Sequence, residues 1–186
     1  MEGIKERVKL GQVTLRRAEW RDFPLFMKWR NLPHVYENMV ECPYPPSEEE
    51  VARWLGSYVN DVEERYGFLV LFEVDGASVG WGLARDFQSG IPEVGITIAD
   101  KDYWGTGLVE VAAKLGFEKV KLHGFRKVRA TAMNNNDRIL GFLRRTGWEK
   151  IYKLPENPRT LVLGECQECE SHSAWVKDIL KEVDLK

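Results

Sequence analysis

The stretch Tyr103-Trp104-Gly105-Thr106-Gly107-Leu108 places two glycines where a strand ending near Ala99 gives way to a helix beginning near Leu108. A helix start leaves its first amide N–H groups without helical partners and carries partial positive charge, so an anion finds ready donors there. Glycine lets the backbone approach that anion with no Cβ in the way. The chemistry open to this turn is phosphate binding; the alternative is a plain strand-to-helix turn. Two common phosphate motifs fail here. A Walker loop needs Lys-Ser or Lys-Thr after its last glycine, and neither follows. A dinucleotide fingerprint needs glycine at position 110, which is Glu110. Cys166, Cys169 and His172 form a C-x2-C-x2-H run, but a four-ligand zinc site needs a second pair and the sequence has none. That run reads as a reduced pair near a strand end, with a local disulfide or a metal-tuned loop as the alternative. Three cysteines in all, Cys42 included, do not make a disulfide framework.

The elements that must position this turn follow from periodicity. Val13–Arg17 alternates as a strand, and Glu19–Asn31 carries Phe23, Phe26, Met27 and Arg30 near helical spacing until Leu32-Pro33. After the rigid Pro43-Tyr44-Pro45-Pro46, Ser47 with Glu50 three residues on predicts a capped helix start. Gly67–Val74 reads as a buried strand, Asp75-Gly76 as a hairpin turn, and Ser78–Arg85 and Val94–Ala99 as the next strands. Leu108, Val111, Ala112 and Leu115 give the following helix an inward stripe, with Gly124 as its C-terminal cap. Lys127–Ala132 predicts a strand and Asp137–Arg145 a short helix, stopped near Gly147. Trp148–Lys153 and Arg159–Leu163 predict two strands, and Ala174–Val183 a terminal amphipathic helix with Trp175, Ile179, Leu180 and Val183 in phase. The order β-α-α-β-β-β-α-β-α-β-β-α implies an α/β chain of the α+β type, a mixed sheet flanked by helices.

The 186 residues suit one well-buried domain, 1–186, with no linker to divide it. A net charge of -2, with no basic cluster interleaved with aromatics, gives no argument for nucleic acid. No apolar run approaches the ~20 residues that cross a bilayer, and the first residues lack a signal peptide's apolar centre. The expectation is a cytoplasmic protein with no membrane partner.

The segment 103–108, followed by Ala112, resembles the Y-W-G-x-G-Y-A-T-E-A segment of the GCN5-related N-acetyltransferases. The likeness is strongest to the branch that acetylates ribosomal-protein N-termini, with the polyamine acetyltransferases also similar. Counting back from Gly147-Trp148 puts the family's asparagine at Asn136. Val13-Thr14-Leu15-Arg16 is similar to its first strand, and Trp29-Arg30-Asn31 to the end of its first helix. The resemblance covers about residues 13–148. It implies a twisted, mostly antiparallel sheet flanked by helices, a family-like core of about 13–165, and a C-terminal extension 166–186. It also implies acetyl-CoA as co-substrate and direct attack of a primary amine on the thioester. The acceptor would be a protein N-terminus, a polyamine or another small amine, and a homodimer stays open. A non-catalytic domain that binds CoA is the alternative.

By resemblance, the cofactor binds at Trp104, Gly105, Thr106, Gly107, Leu108, Val109 and Glu110, its pyrophosphate held by the backbone N–H groups of Thr106 to Glu110 and Trp104 packed near the turn. The thioester lies along Ile96, Thr97 and Ile98, and Asn136 contacts the pantetheine arm. A backbone N–H near Ile98 polarises the carbonyl. Glu93 takes the amine's proton, and His34 and Tyr36 shape the acceptor pocket, with Glu37 and Glu41 nearby. Four positions depart from the family pattern. Trp104 stands where Arg or Gln is common, Val109 replaces a small residue, Ile139 stands where the nearest branch has Ser, and Leu143 stands where other branches have a thiolate-protonating Tyr.

Overall fold

The structure is a computed structural model, and it describes residues 7–40, 44–151 and 172–178. The chain opens with β1 (Val13–Arg17), then a 3-10 turn at Trp20–Asp22 that runs into α1 (Phe23–Arg30), α2 (Pro33–Tyr36) and α3 (Glu48–Val59). The hairpin β2 (Gly67–Val74) and β3 (Ala77–Arg85) leads to β4 (Glu93–Ile98), α4 (Leu108–Leu122) and β5 (Lys127–Met133). The helix α5 (Asp137–Arg145) and the strands β6 (Glu149–Ile151) and β7 (His172–Asp178) follow.

Local signals account for the borders. Ser47 Oγ accepts the Glu50 amide at 3.2 Å and Glu50 returns the bond to the Ser47 amide at 2.8 Å, a complete capping box for α3. Asp75 and Gly76 both take positive φ (50° and 81°), as a two-residue hairpin turn demands. Every residue of β2 is buried but one, because both faces are covered. Phe68, Val70 and Phe72 enter one cluster with α4 and α5, while Leu69 and Leu71 enter another with Phe26, Trp29, Val51 and Leu55 of α1 and α3.

Among the described residues seven strands form one sheet, in the order β1-β2-β3-β4-β5-β7-β6. Its neighbours are antiparallel except β4 and β5, which run parallel and pair at Glu93↔Arg129. Beyond that pair the two strands diverge, and the sheet opens into a V.

The terminal amphipathic helix expected from Ala174 is not what the described residues form: His172–Asp178 is a strand. It pairs with β5 from Lys127↔Asp178 to Met133↔His172 and with β6 on its other side. Trp175 and Lys177, two apart, are both buried, which is strand spacing. β5 pairs along the whole segment and β6 along Ala174–Val176, a long-range gain in backbone pairing that outweighs its helical periodicity. Lys177 Nζ donates to the Thr146 carbonyl, and burial pushes its pKa below the ordinary lysine value. The expected strand Arg159–Leu163, Cys42, Cys166, Cys169 and the tail after Asp178 lie outside the described residues, as does the side chain of His172.

Candidate active site

One cavity of about 930 Å³ runs from the start of α4 through the open V to α1 and α2. Its floor is β4. Ala99 N–H donates to the Val79 carbonyl at 3.0 Å, and backbone polar groups alternate sides along an antiparallel ladder. Gly95 and Thr97 accordingly turn their N–H and C=O groups to β3, as does the N–H of Ala99, and Ile96 and Ile98 turn theirs into the V. Thr97, expected to contribute its backbone alongside them, instead pairs with Trp81 of β3 and still lines the cavity.

The turn before α4 has the form expected of an anion cradle. Gly105 and Gly107 sit at φ 76° and 84°, where a Cβ would be strained. The first helical bond is Val111 N–H to the Gly107 carbonyl at 3.3 Å, so the amides of Leu108, Val109 and Glu110 point out of the helix start. Thr106 departs from expectation. Its N–H is directed at the Tyr103 carbonyl (3.4 Å), its hydroxyl donates to the same carbonyl (2.7 Å), and its own carbonyl accepts from Val8 (2.9 Å). Thr106 shapes the turn and leaves no donor for a ligand. Leu108, Val109 and Glu110 all line the cavity, the Leu108 side chain buried in the core. Glu110 Oε1 accepts from Arg145 at 3.2 Å, so an arginine neutralises the acid beside the helix start.

Trp104 ties the turn to its surroundings. Its Nε1 donates to the Ile98 carbonyl at 3.0 Å. The Arg138 guanidinium lies 3.9 Å from its ring centroid, and Lys101 Nζ lies 5.5 Å away. The His34 ring meets it edge-on at 5.3 Å. His34 Nε2 is 2.9 Å from the Ala99 carbonyl, which only accepts, so Nε2 carries the proton. Asn136 lines the cavity and caps α5, its Oδ1 accepting the Ile139 amide at 3.3 Å.

Glu93 lies in the cavity at the closed end of the V. Its carboxylate meets Arg85 at 3.0 Å and Arg129 at 3.7 Å, and Arg129 in turn holds Asp86 at 2.6 Å. Elsewhere the cavity is lined by His34, Val35, Asn38 and Met39 and by Trp54, Trp81 and Leu83. Tyr36 is a correction: it does not line the cavity. His34 and Val35 of α2 and Asn38 and Met39 of the turn that follows line the cavity instead. Glu37 is exposed and outside the lining, and Glu41 lies outside the described residues.

Sequence reasoning did not single out the cavity residues Arg7, Arg138, Trp54 and Trp81. Arg138 reaches Trp104 from another helix, so no local spacing could reveal it. Arg30 lies 4.4 Å from the Trp54 ring centroid, and its position at the end of α1 was the available signal. Among the described residues no cluster of His, Cys, Asp and Glu is arranged to hold a metal, and no helix is long and apolar enough to cross a membrane.

Residues 12–149 match the family described as Acetyltransferase (GNAT) domain. An uncharacterized protein of Methanocaldococcus jannaschii is 26% identical over 154 residues, which make up 80% of this chain and 31% of that protein. The chain thus spans about a third of the length of that curated relative. A spermidine N-acetyltransferase from Vibrio cholerae, solved with CoA and spermine, superposes with a TM-score of 0.71 at 14% identity, over 92% of this chain and 98% of that one. A ribosomal L7/L12 alpha-N-protein acetyltransferase solved with coenzyme A superposes with a TM-score of 0.69 at 13% identity, over 90% and 94%. At such identities these two structures speak for the fold.

Proposed function

We propose that this chain, which belongs to the GNAT acetyltransferase domain family, transfers an acetyl group from acetyl-CoA to a primary amine. The observation that carries the reading is the open edge of β4, which leads within one cavity from Glu93 to the start of α4. A pyrophosphate at the Leu108–Glu110 amides and a thioester at Ile96 lie along that one path. Arg7 and Arg138 line the same end of the cavity and supply positive charge for phosphates. Acetyl-CoA, when bound, supplies the activated acyl carbon.

The chain's own groups then have separable tasks. The N–H groups of Ile96 and Ile98, turned into the V, stand where a thioester oxygen gains negative charge. Asn136 and Trp104 border the arm that leads there. The acceptor enters between α1–α3 and β4, over Trp54 and Trp81. Its nitrogen loses a proton to Glu93, directly or through water, before attack. Ile139 and Leu143 offer no proton to the departing sulfur, so water supplies it.

The acceptor end is apolar and aromatic. Glu93 is its acid among the described residues and already faces two guanidiniums. A protein N-terminus or a compact monoamine suits this wall better than a long polycation, which needs a second carboxylate along its length. The substitutions Ile139 and Leu143 favour a second reading, a CoA-binding domain without turnover.

Thermal unfolding with CoA and acetyl-CoA, followed by an amine panel, separates these readings. A ligand that binds only the folded state adds about 2.7 kcal/mol at a hundred times its Kd. Melting is expected to rise by several degrees, and acetyl transfer to appear with a subset of N-terminal peptides or small monoamines. No shift at millimolar ligand sinks both readings. A clear shift with no product across peptides, polyamines, amino sugars and aminoglycosides leaves the non-catalytic one.

A further inference from the structure

The cavity does not end where an acetyl group would. On the α4 and α5 side of β4 it is lined by Val94, Ile96, Phe117, Ala130, Leu143 and Trp148. Immediately beyond, a second small cavity of about 20 Å³ shares Val94, Gly95, Ile96 and Phe117 with the first. It reaches between the sheet and α4, where Ala112, Ala113 and Gly116 form its helix wall. Every residue that lines it is apolar, so a void of roughly one water's size there has no partners to hold water.

Gly116 is an independent sign. It sits inside the 15-residue helix α4, where glycine lowers helix stability relative to alanine. A Cβ built there meets no heavy atom within 4 Å. The site has room for a side chain, and the chain leaves it open. Ile96 connects this space to the chemistry. Its backbone faces the V where the thioester docks, and its side chain borders both cavities.

We propose that this apolar annex receives the terminal carbon of an acyl chain one carbon longer than acetyl, making propionyl-CoA the preferred donor. The inference rests on the acyl-CoA reading above. In the step, the amine nitrogen bonds to the acyl carbon and the carbon–sulfur bond breaks. The sulfur leaves with the electron pair and takes up a proton as the free thiol, and the nitrogen gives up its proton. The tail is buried and chemically unchanged.

Calorimetric titration without any amine tests this with binding alone. CoA itself reports on the parent reading: if it does not bind, both fall. With CoA bound, affinity is expected to rise about fourfold from acetyl- to propionyl-CoA, the equivalent of about 0.8 kcal/mol for one buried CH2. It is expected to fall at hexanoyl-CoA, which exceeds the annex. Gly116→Leu fills the annex with a good helix former and should erase the propionyl gain. Gly116→Ala, the smaller change, keeps the test alive should the leucine variant not fold, and should reduce that gain. Acetyl-CoA binding as tightly as propionyl-CoA to the unaltered chain overturns the proposal, as does a gain that survives both substitutions or continues to hexanoyl.

Discussion

In the proposed reaction Glu93 takes the acceptor's proton, and its oxygens lie 3.0 Å from Arg85 and 3.7 Å from Arg129. The two guanidiniums fix the carboxylate in place and occupy part of its lone-pair capacity. Such a group takes a proton best through a water it orients. Glu93→Gln keeps the shape and removes the base. We expect turnover to fall by about a hundredfold, the low end for general-base catalysis, with CoA affinity unchanged. The loss should be greatest at low pH and shrink as pH nears the amine's own pKa, where neutral amine arrives unaided. Steady-state rates between pH 6 and 10 read this out, and a profile equal to that of the unaltered chain removes Glu93 as the base.

At the scale of elements, the proposed acceptor wall depends on how α1 is anchored, because α1 carries Arg30, which lines the cavity, and Trp29, which stacks on the lining Trp81. Its entry turn is held by Asp22, whose carboxylate takes a bidentate pair from Arg16 at 2.8 and 2.9 Å and the Glu19 amide at 2.8 Å. Burial opposes the charge on Asp22, but Arg16 and the Glu19 amide outweigh it and hold the carboxyl below the usual carboxylate range. A depressed folded pKa means stability that is present above the unfolded value and lost as pH falls through the folded one. Asp22→Asn should cost about 2 kcal/mol at neutral pH. Urea melts of both proteins should converge as pH drops below about 4; a constant gap would rule out the charge as the cause.

The same scale shows what was legible in the sequence. The capping box at Ser47, the Asp75-Gly76 turn and the paired glycines before α4 act within a few residues, so spacing alone placed them. The resemblance led to the cofactor end in the same way. The strand at His172–Asp178 could not be read locally, since it follows from an open edge of β5 more than forty positions away. Nor could the non-local surroundings of Trp104, which α2 and α5 supply through His34 and Arg138 beside the nearby Ile98 and Lys101. The one-turn helix α2 breaks up a stretch read only as the region between two helices, and within it His34 borders the cavity and Tyr36 does not.

Taken as a whole, the sheet is two antiparallel halves, β1–β4 and β5–β7–β6, meeting at a single registered pair. Along β4 the amides alternate between a bonded side and the V. Hydrogen exchange should therefore alternate too, with Gly95 and Thr97 slow and Ile98 fast in the bare chain. Bound CoA should slow Ile96 and Ile98 selectively. Exchange at single-residue resolution, with and without CoA, checks this, and uniform protection along β4 would contradict the open edge.

That open edge has a further cost outside the reaction cycle. A strand with unpaired backbone groups is a template on which another chain's strand can add, and here Trp104 takes the Ile98 carbonyl while the Ile96 and Ile98 amides face the V. CoA bound there would bridge the two halves and shield the edge, so limited proteolysis of the chain should slow when CoA is added.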